Sequence, residues 1–159
     1  MALVALAYCS PARGEPEIWT VFTCCSHHFD DSHPSDYEQR NVGIGGEVGT
    51  KNLRAVGGVY RNSRRVNSVY FGGAGTVPLK RLDASTIRVG TALVLVSGYE
   101  KVDGNGRPSA ELRNQPAGGL ILVGAWEGPR LGLNLLFVPK VNDNPGVVAL
   151  QLKYRWRGE

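Results

Sequence analysis

Ala149-Leu150-Gln151-Leu152-Lys153-Tyr154-Arg155-Trp156 alternates without a break. Successive side chains of an extended strand point to opposite sides, so Leu150, Leu152, Tyr154 and Trp156 share one face. Ala149, Gln151, Lys153 and Arg155 share the other. The same division recurs upstream. Leu131, Leu133, Leu135 and Phe137 oppose Arg130, Gly132, Asn134 and Leu136. Ile87, Val89, Thr91, Leu93 and Leu95 oppose Arg88, Gly90, Ala92, Val94, Val96 and Gly98. A soluble barrel turns its large apolar groups inward and its charges outward. Here charge travels with the small residues, while leucines ending in aromatics line the other face. The lumen of an eight-stranded barrel is narrow, and small or polar side chains suit it. The leucine face then meets lipid, with Tyr154 and Trp156 at an interfacial girdle.

Working outward, strand-like segments separated by turn clusters fill the chain. They are Trp19–Phe29, Val42–Thr50, Arg54–Asn62, Val66–Thr76, Ile87–Tyr99, Gly118–Trp126, Arg130–Val138 and Gly146–Trp156. No repeat of 20–50 residues and no low-complexity tract interrupts them. The fold class expected is all-β, a single antiparallel eight-stranded up-and-down β-barrel over residues 18–159. Residues 1–17 form a leader or arm. That leader reads either as the apolar part of a secretory signal cleaved near Ala12, though without a basic start, or as an ordinary N-terminal extension. Long connections are expected at Asp30–Asn41, Pro78–Thr86 and Glu100–Gln115, the last with a turn at Asp103-Gly104-Asn105-Gly106.

Composition agrees with one glycine-rich β domain: 159 residues, 21 of them Gly and 9 Pro, with 20% charged. The net charge of +4 comes from dispersed arginines rather than a basic run, which argues against a nucleic-acid partner. The cysteines are Cys9, Cys24 and Cys25; the adjacent pair faces opposite ways on a strand and has no zinc-ligand spacing. No metal and no cofactor are expected. His27, His28 and His33 near Asp30, Asp31 and Asp36 lack a fixed ligand spacing, and a solvated loop explains them.

The hairpin Tyr60–Gly75, YRNSRRVNSVYFGGAG, carries the candidate chemistry. Asn62 and Ser63 place an amide and a hydroxyl at a strand end, opposite small residues deeper in the next strand. Such an arrangement suits a pocket with a reactive rim, and equally an inert barrel that needs internal room. Asn-Ser at a strand end is also a common turn-initiating pair. Arg61, Arg64 and Arg65 at the tip are either solvated or a clamp for lipid phosphates.

With these segments in place, the chain resembles the lipid A palmitoyltransferase (PagP) family of eight-stranded outer-membrane barrels. The resemblance spans about Phe22 to Trp156 and rests on ordered motifs. These are SHHF at Ser26–Phe29, YEQRNVGIGGEVG from Tyr37, VYRNS at Val59–Ser63, the glycines of Gly72–Gly75 and VPL at Val77–Leu79. VGTALVLVSGY from Val89, LNLLFVP at Leu133–Pro139 and the closing GVVALQLKYRW complete the series. The resemblance implies acyl transfer from a phospholipid to lipid A in the bacterial outer membrane. It implies Ser63 and one of the adjacent His27 and His28 as catalytic residues, His28 being preferred because only one of the pair can face the lumen, with Asn62 standing where the family has aspartate. That departure removes a carboxylate able to stabilise an imidazolium. Arg61, Arg64, Gly72, Ala74 and Gly90 would bind substrate, with Ala74 near the floor that sets acyl length. The alternative is a structural or binding barrel without chemistry, in an envelope or a phage particle. A soluble barrel carrying a small apolar ligand is the third reading.

Overall fold

A computed structural model of the chain describes residues 15–29, 38–98, 116–140 and 146–156. The expected His33 and Asp30–Asp36 cluster, Cys9, most of the leader and the Asp103–Gly106 turn lie outside the described residues. Eight antiparallel strands form a closed barrel in chain order. They are β1 (Glu17–His28), β2 (Gly43–Gly49), β3 (Leu53–Arg61), β4 (Asn67–Leu82), β5 (Ser85–Ser97), β6 (Ala117–Glu127), β7 (Leu131–Val138) and β8 (Val147–Trp156). Closure comes from pairing of β1 with β8, from Ile18 opposite Trp156 to His28 opposite Val147. Every strand thereby has a ladder partner on both sides and the sheet has no edge strand, as a sheet in hydrocarbon requires.

One end of the barrel carries short turns and the other the long connections. At the short-turn end, Thr50 Oγ1 accepts from the backbone N–H groups of Asn52 and Leu53, closing the β2–β3 turn. At the same end, Leu82 pairs with Ser85, so β4 and β5 are joined through only Asp83 and Ala84. The sequence places a long loop at Pro78–Thr86; the structure instead continues β4 to Leu82. A register shift between Pro78 and Lys80 explains the difference. Proline cannot donate to a ladder, and a bulge is where a strand accommodates that loss.

The alternation seen in the sequence is the alternation of the wall. Leu131, Leu135, Leu152, Leu93 and Phe71 are exposed on the outside, whereas Lys153, Arg88, Asn134 and Gln151 are buried inside. Trp156 and Trp126 are exposed on the outer wall at the short-turn end, and Tyr154 packs edge-on against Trp156 with ring centres 5.5 Å apart. Within the lumen, Ala92, Val94 and Val123 form an apolar layer with Val56, Ala74, Val96, Ile121 and Leu136 against them.

Two inward glycines fix how closely the wall can fold. A Cβ on Gly72 would run into the Leu93 carbonyl and Val94 Cα, and one on Gly90 into the Gly75 carbonyl and Thr76 Cα. β4 and β5 therefore approach each other at these points as only glycine allows. A third close fit involves Tyr70, whose ring occupies the room that side chains at Gly45 and Gly58 would need. An aromatic from β4 thus covers bare backbone on β3 and β2.

Candidate functional site

The main polar feature of the lumen lies toward the short-turn end and joins both neighbouring strands and strands that share no ladder. Arg54 of β3 reaches Glu127 of β6 at 2.5 Å, Glu17 of β1 at 2.7 Å and Glu47 of β2 at 3.1 Å. Lys153 of β8 lies 2.7 Å from Glu127 and 3.3 Å from Glu47. Arg155 pairs with Glu17 at 2.9 Å, and Arg88 stands 3.8 Å from Glu127. Asn134 donates to Glu47 at 2.7 Å and to Gln151 at 3.2 Å, and Gln151 donates to Thr23 at 3.2 Å. Trp19, 1% exposed, provides a ring to three cations. Lys153 Nζ is 4.7 Å from its centre, and the guanidinium carbons of Arg155 and Arg54 are at 5.0 and 5.6 Å.

Charge removed from water is tolerated only when paired and hydrogen-bonded. Here every carboxylate of the group has at least one cation within bonding distance. The arrangement cross-braces the tube and fills it at this level. The void bounded by Glu47, Arg54, Ala74, Val123, Glu127 and Lys153 measures about 20 Å³. That is room for about one water molecule.

The opposite rim contains the residues singled out from the sequence. A register shift between Thr23 and Cys25 reverses the facing of β1 beyond it. His28 then pairs with Val147 and shares the inward face with Ser26, while His27 turns outward and stacks edge-on with Phe29 at 5.5 Å. Asn62 is 0% and Ser63 5% exposed, in the turn between β3 and β4. The Asn62 side chain is fully used: its Oδ1 accepts from the N–H groups of Arg64 at 2.9 Å and Val66 at 3.0 Å. Its Nδ2 donates to Ser68 Oγ at 3.0 Å and to the Gly98 carbonyl at 3.1 Å. Such bonds let an asparagine hold a turn, and Arg65 there takes φ 63°.

Ser63 and His28 occupy the same rim, on β1 and on the β3–β4 turn, with β2 between them. Residues 38–41 link their surroundings: the Glu38 N–H donates to the Ser63 carbonyl and the Ser26 N–H to that of Gln39, at 2.8 and 2.9 Å. Asn41, buried, receives the Ser26 hydroxyl and donates to the Arg61 carbonyl. Arg61 and Arg64 are exposed on the rim. Gly72 and Gly90 stand on the inner face where the strands crowd, and Ala74 borders the 20 Å³ void.

Sequence reasoning missed Trp19, Asn41, Tyr70 and the pairing of Glu17, Glu47, Arg54 and Glu127. The available signal was charge on the small-residue faces of β5 and β8. It reveals that charges enter the lumen, but partners three strands apart have no local signature.

The fold and its inward ions define a class: an eight-stranded β-barrel of inverted polarity, with apolar side chains outside and charge within. Among solved structures, the solution structure of the de novo designed TMB2.3 is similar at a TM-score of 0.52 and 14% identity, covering 92% of this chain and 99% of that one. The outer membrane protein Ail of Yersinia pestis in a phospholipid bilayer nanodisc aligns at 0.44 and 9% identity, over 89% of this chain and 100% of that one. Ail in complex with the heparin analogue sucrose octasulfate aligns at 0.43 and 10%, over 89% and 98%. No family model and no curated protein matches the chain.

Proposed function

We propose that this chain is a membrane-embedded barrel of the bacterial outer membrane with a structural or binding role, its lumen filled by ion pairs toward the short-turn end. The observation that carries this reading is the interior at Ala74. The resemblance to lipid A palmitoyltransferases requires an acyl slot there, and ions and side chains leave a void of about 20 Å³. Leucine and aromatic groups on the outer wall support insertion into lipid. Asn62 supports the non-catalytic side of the reading, because both ends of its amide hold the hairpin turn.

The transferase reading retains one favourable observation, the common rim of His28 and Ser63. Expression in a host with an outer membrane, followed by fractionation and mass spectrometry of lipid A, separates the two. The barrel is expected in the outer-membrane fraction with lipid A mass unchanged, for the wild type and for Ser63→Ala alike. An added acyl mass that disappears in Ser63→Ala overturns the structural reading. Recovery in the soluble fraction overturns membrane residence.

A further inference from the structure

The outer wall is not uniformly convex. Between β4, β5 and β6, Phe71, Leu93, Leu95 and Leu120 stand around a gap opposite Gly118, forming an apolar groove of about 490 Å³. That volume falls in the range of sites for small ligands. Gly118 makes the gap: a Cβ there would have nothing within 4 Å. Leu95 pairs with Phe71 on one side and with Gly118 on the other, so the groove runs across three strands in the half nearer the long connections.

The basic tip of the β3–β4 hairpin rises above this groove. Arg61, exposed, ends β3 opposite Asn67 of β4. Phe71 follows four residues farther along β4, a drop of about 13 Å along the strand. Arg64 is exposed in the turn itself, whereas Arg65 is engaged by Glu38 at 3.8 Å. Among the described residues the guanidinium groups of Arg61 and Arg64 carry no ion pair, and they stand on the long-connection side of the apolar furrow, within a lipid's length of it.

We infer that this furrow and hairpin tip form a site for one phosphate-bearing anionic membrane lipid, its head at Arg61 and Arg64 and an acyl chain between Phe71, Leu95 and Leu120. The inference rests on the membrane-embedded reading and assigns that surface its ligand class. Guanidinium groups fit phosphate oxygens in paired hydrogen bonds. The furrow opens on the outer wall and continues its apolar face, so the chain enters from the bilayer rather than from the lumen.

The test is native mass spectrometry of the barrel released from non-ionic detergent, with phosphatidylglycerol or phosphatidylcholine of identical chains added. The expected result is a one-lipid adduct about thirtyfold more abundant with phosphatidylglycerol, from the attraction of two arginines to an anionic head at about 1 kcal/mol each. Arg61→Gln with Arg64→Gln should abolish the headgroup preference. Gly118→Leu, which enters open space, should reduce adducts of both lipids severalfold. Equal adducts of the two lipids on the wild type overturn the site, as does an unchanged adduct in Gly118→Leu. Folding in the same micelles is read from the heat-dependent gel shift of closed barrels. Folded protein without preference overturns only the lipid site; protein that never folds in micelles overturns the membrane reading as well.

Discussion

Lys153 Nζ on β8 lies 2.7 Å from Glu127 on β6 and 4.7 Å from the centre of the Trp19 ring on β1. β6 and β8 share no backbone ladder, because β7 runs between them. The contact therefore crosses the tube, and the closed wall is held from inside as well as along its strands. Glu127 also receives Arg54, so its removal strands two buried cations. Glu127→Ala is expected to destabilise the barrel by about 3–5 kcal/mol, the usual cost of breaking a buried pair from one side. Urea titration in lipid vesicles, followed by tryptophan emission, checks this. A change within experimental error would mean that the network is solvated and does not brace the wall.

Much of the fold was legible in the sequence because an inverted alternation is a strong local signal once several segments share it. Leu150 to Trp156 and Leu131 to Phe137 identify the outer face from residue order alone. β1 was less readable: the shift between Thr23 and Cys25 changes which parity faces inward, and no residue type announces it. Pro78 misled for the opposite reason, since a proline that usually ends a strand sits at a bulge inside one. The ion network could not be read because its partners are fixed by barrel closure, as Glu17, Arg54 and Glu127 come from three distant segments. At the rim, the sequence located Asn62 and Ser63 on the hairpin, but only the structure gives both ends of the Asn62 amide their backbone partners.

Asn62 yields a prediction that distinguishes turn from catalysis. Asn62→Asp keeps the acceptor used by Arg64 and Val66 but replaces the donor that meets Ser68 and the Gly98 carbonyl. A carboxylate facing a buried carbonyl should cost about 1–3 kcal/mol, the scale of a buried polar group left without its partner. If the residue were a degraded catalytic aspartate, restoring the acid would instead bring acyl transfer to lipid A. The two outcomes are separated by a denaturation midpoint and a lipid A mass spectrum on the same variant.

Crowding of β4 on β5 makes a third substitution informative. Gly90→Val forces side-chain carbon into the Gly75 carbonyl and Thr76 Cα of the adjacent strand. Overpacking of this kind costs about 1–3 kcal/mol, and more where backbone rather than a side chain must move. Gly75→Ala lies on the same strand pair but meets nothing within 4 Å, so it should be close to neutral. Refolding yield into micelles, scored by the gel shift, should fall for the first and hold for the second. Equal yields would mean that the strands separate at Gly90 without penalty.

The three tryptophans report on the two sides of the wall. Trp126 and Trp156 are 39% and 58% exposed on the outside, while Trp19 is sealed in the lumen under Arg54, Lys153 and Arg155. Both outer indoles are tied to neighbouring strands, Trp126 Nε1 to Ser85 Oγ at 3.1 Å and Trp156 Nε1 to Thr20 Oγ1 at 2.8 Å. On the proposed membrane-embedded reading, an indole on the outer wall near the interface is within reach of the acyl chains. Variants retaining one tryptophan each, with phenylalanine at the other two positions, are to be refolded into vesicles of brominated-chain lipid. Bromine quenches on contact, so emission from Trp126 and Trp156 should fall strongly while that from Trp19 stays near its value in unbrominated vesicles. A barrel of ordinary polarity, with leucines inward, would leave the outer pair in water and unquenched. Quenching of Trp19 as deep as that of Trp156 would place lipid where the ions stand, and the closed lumen could not survive it.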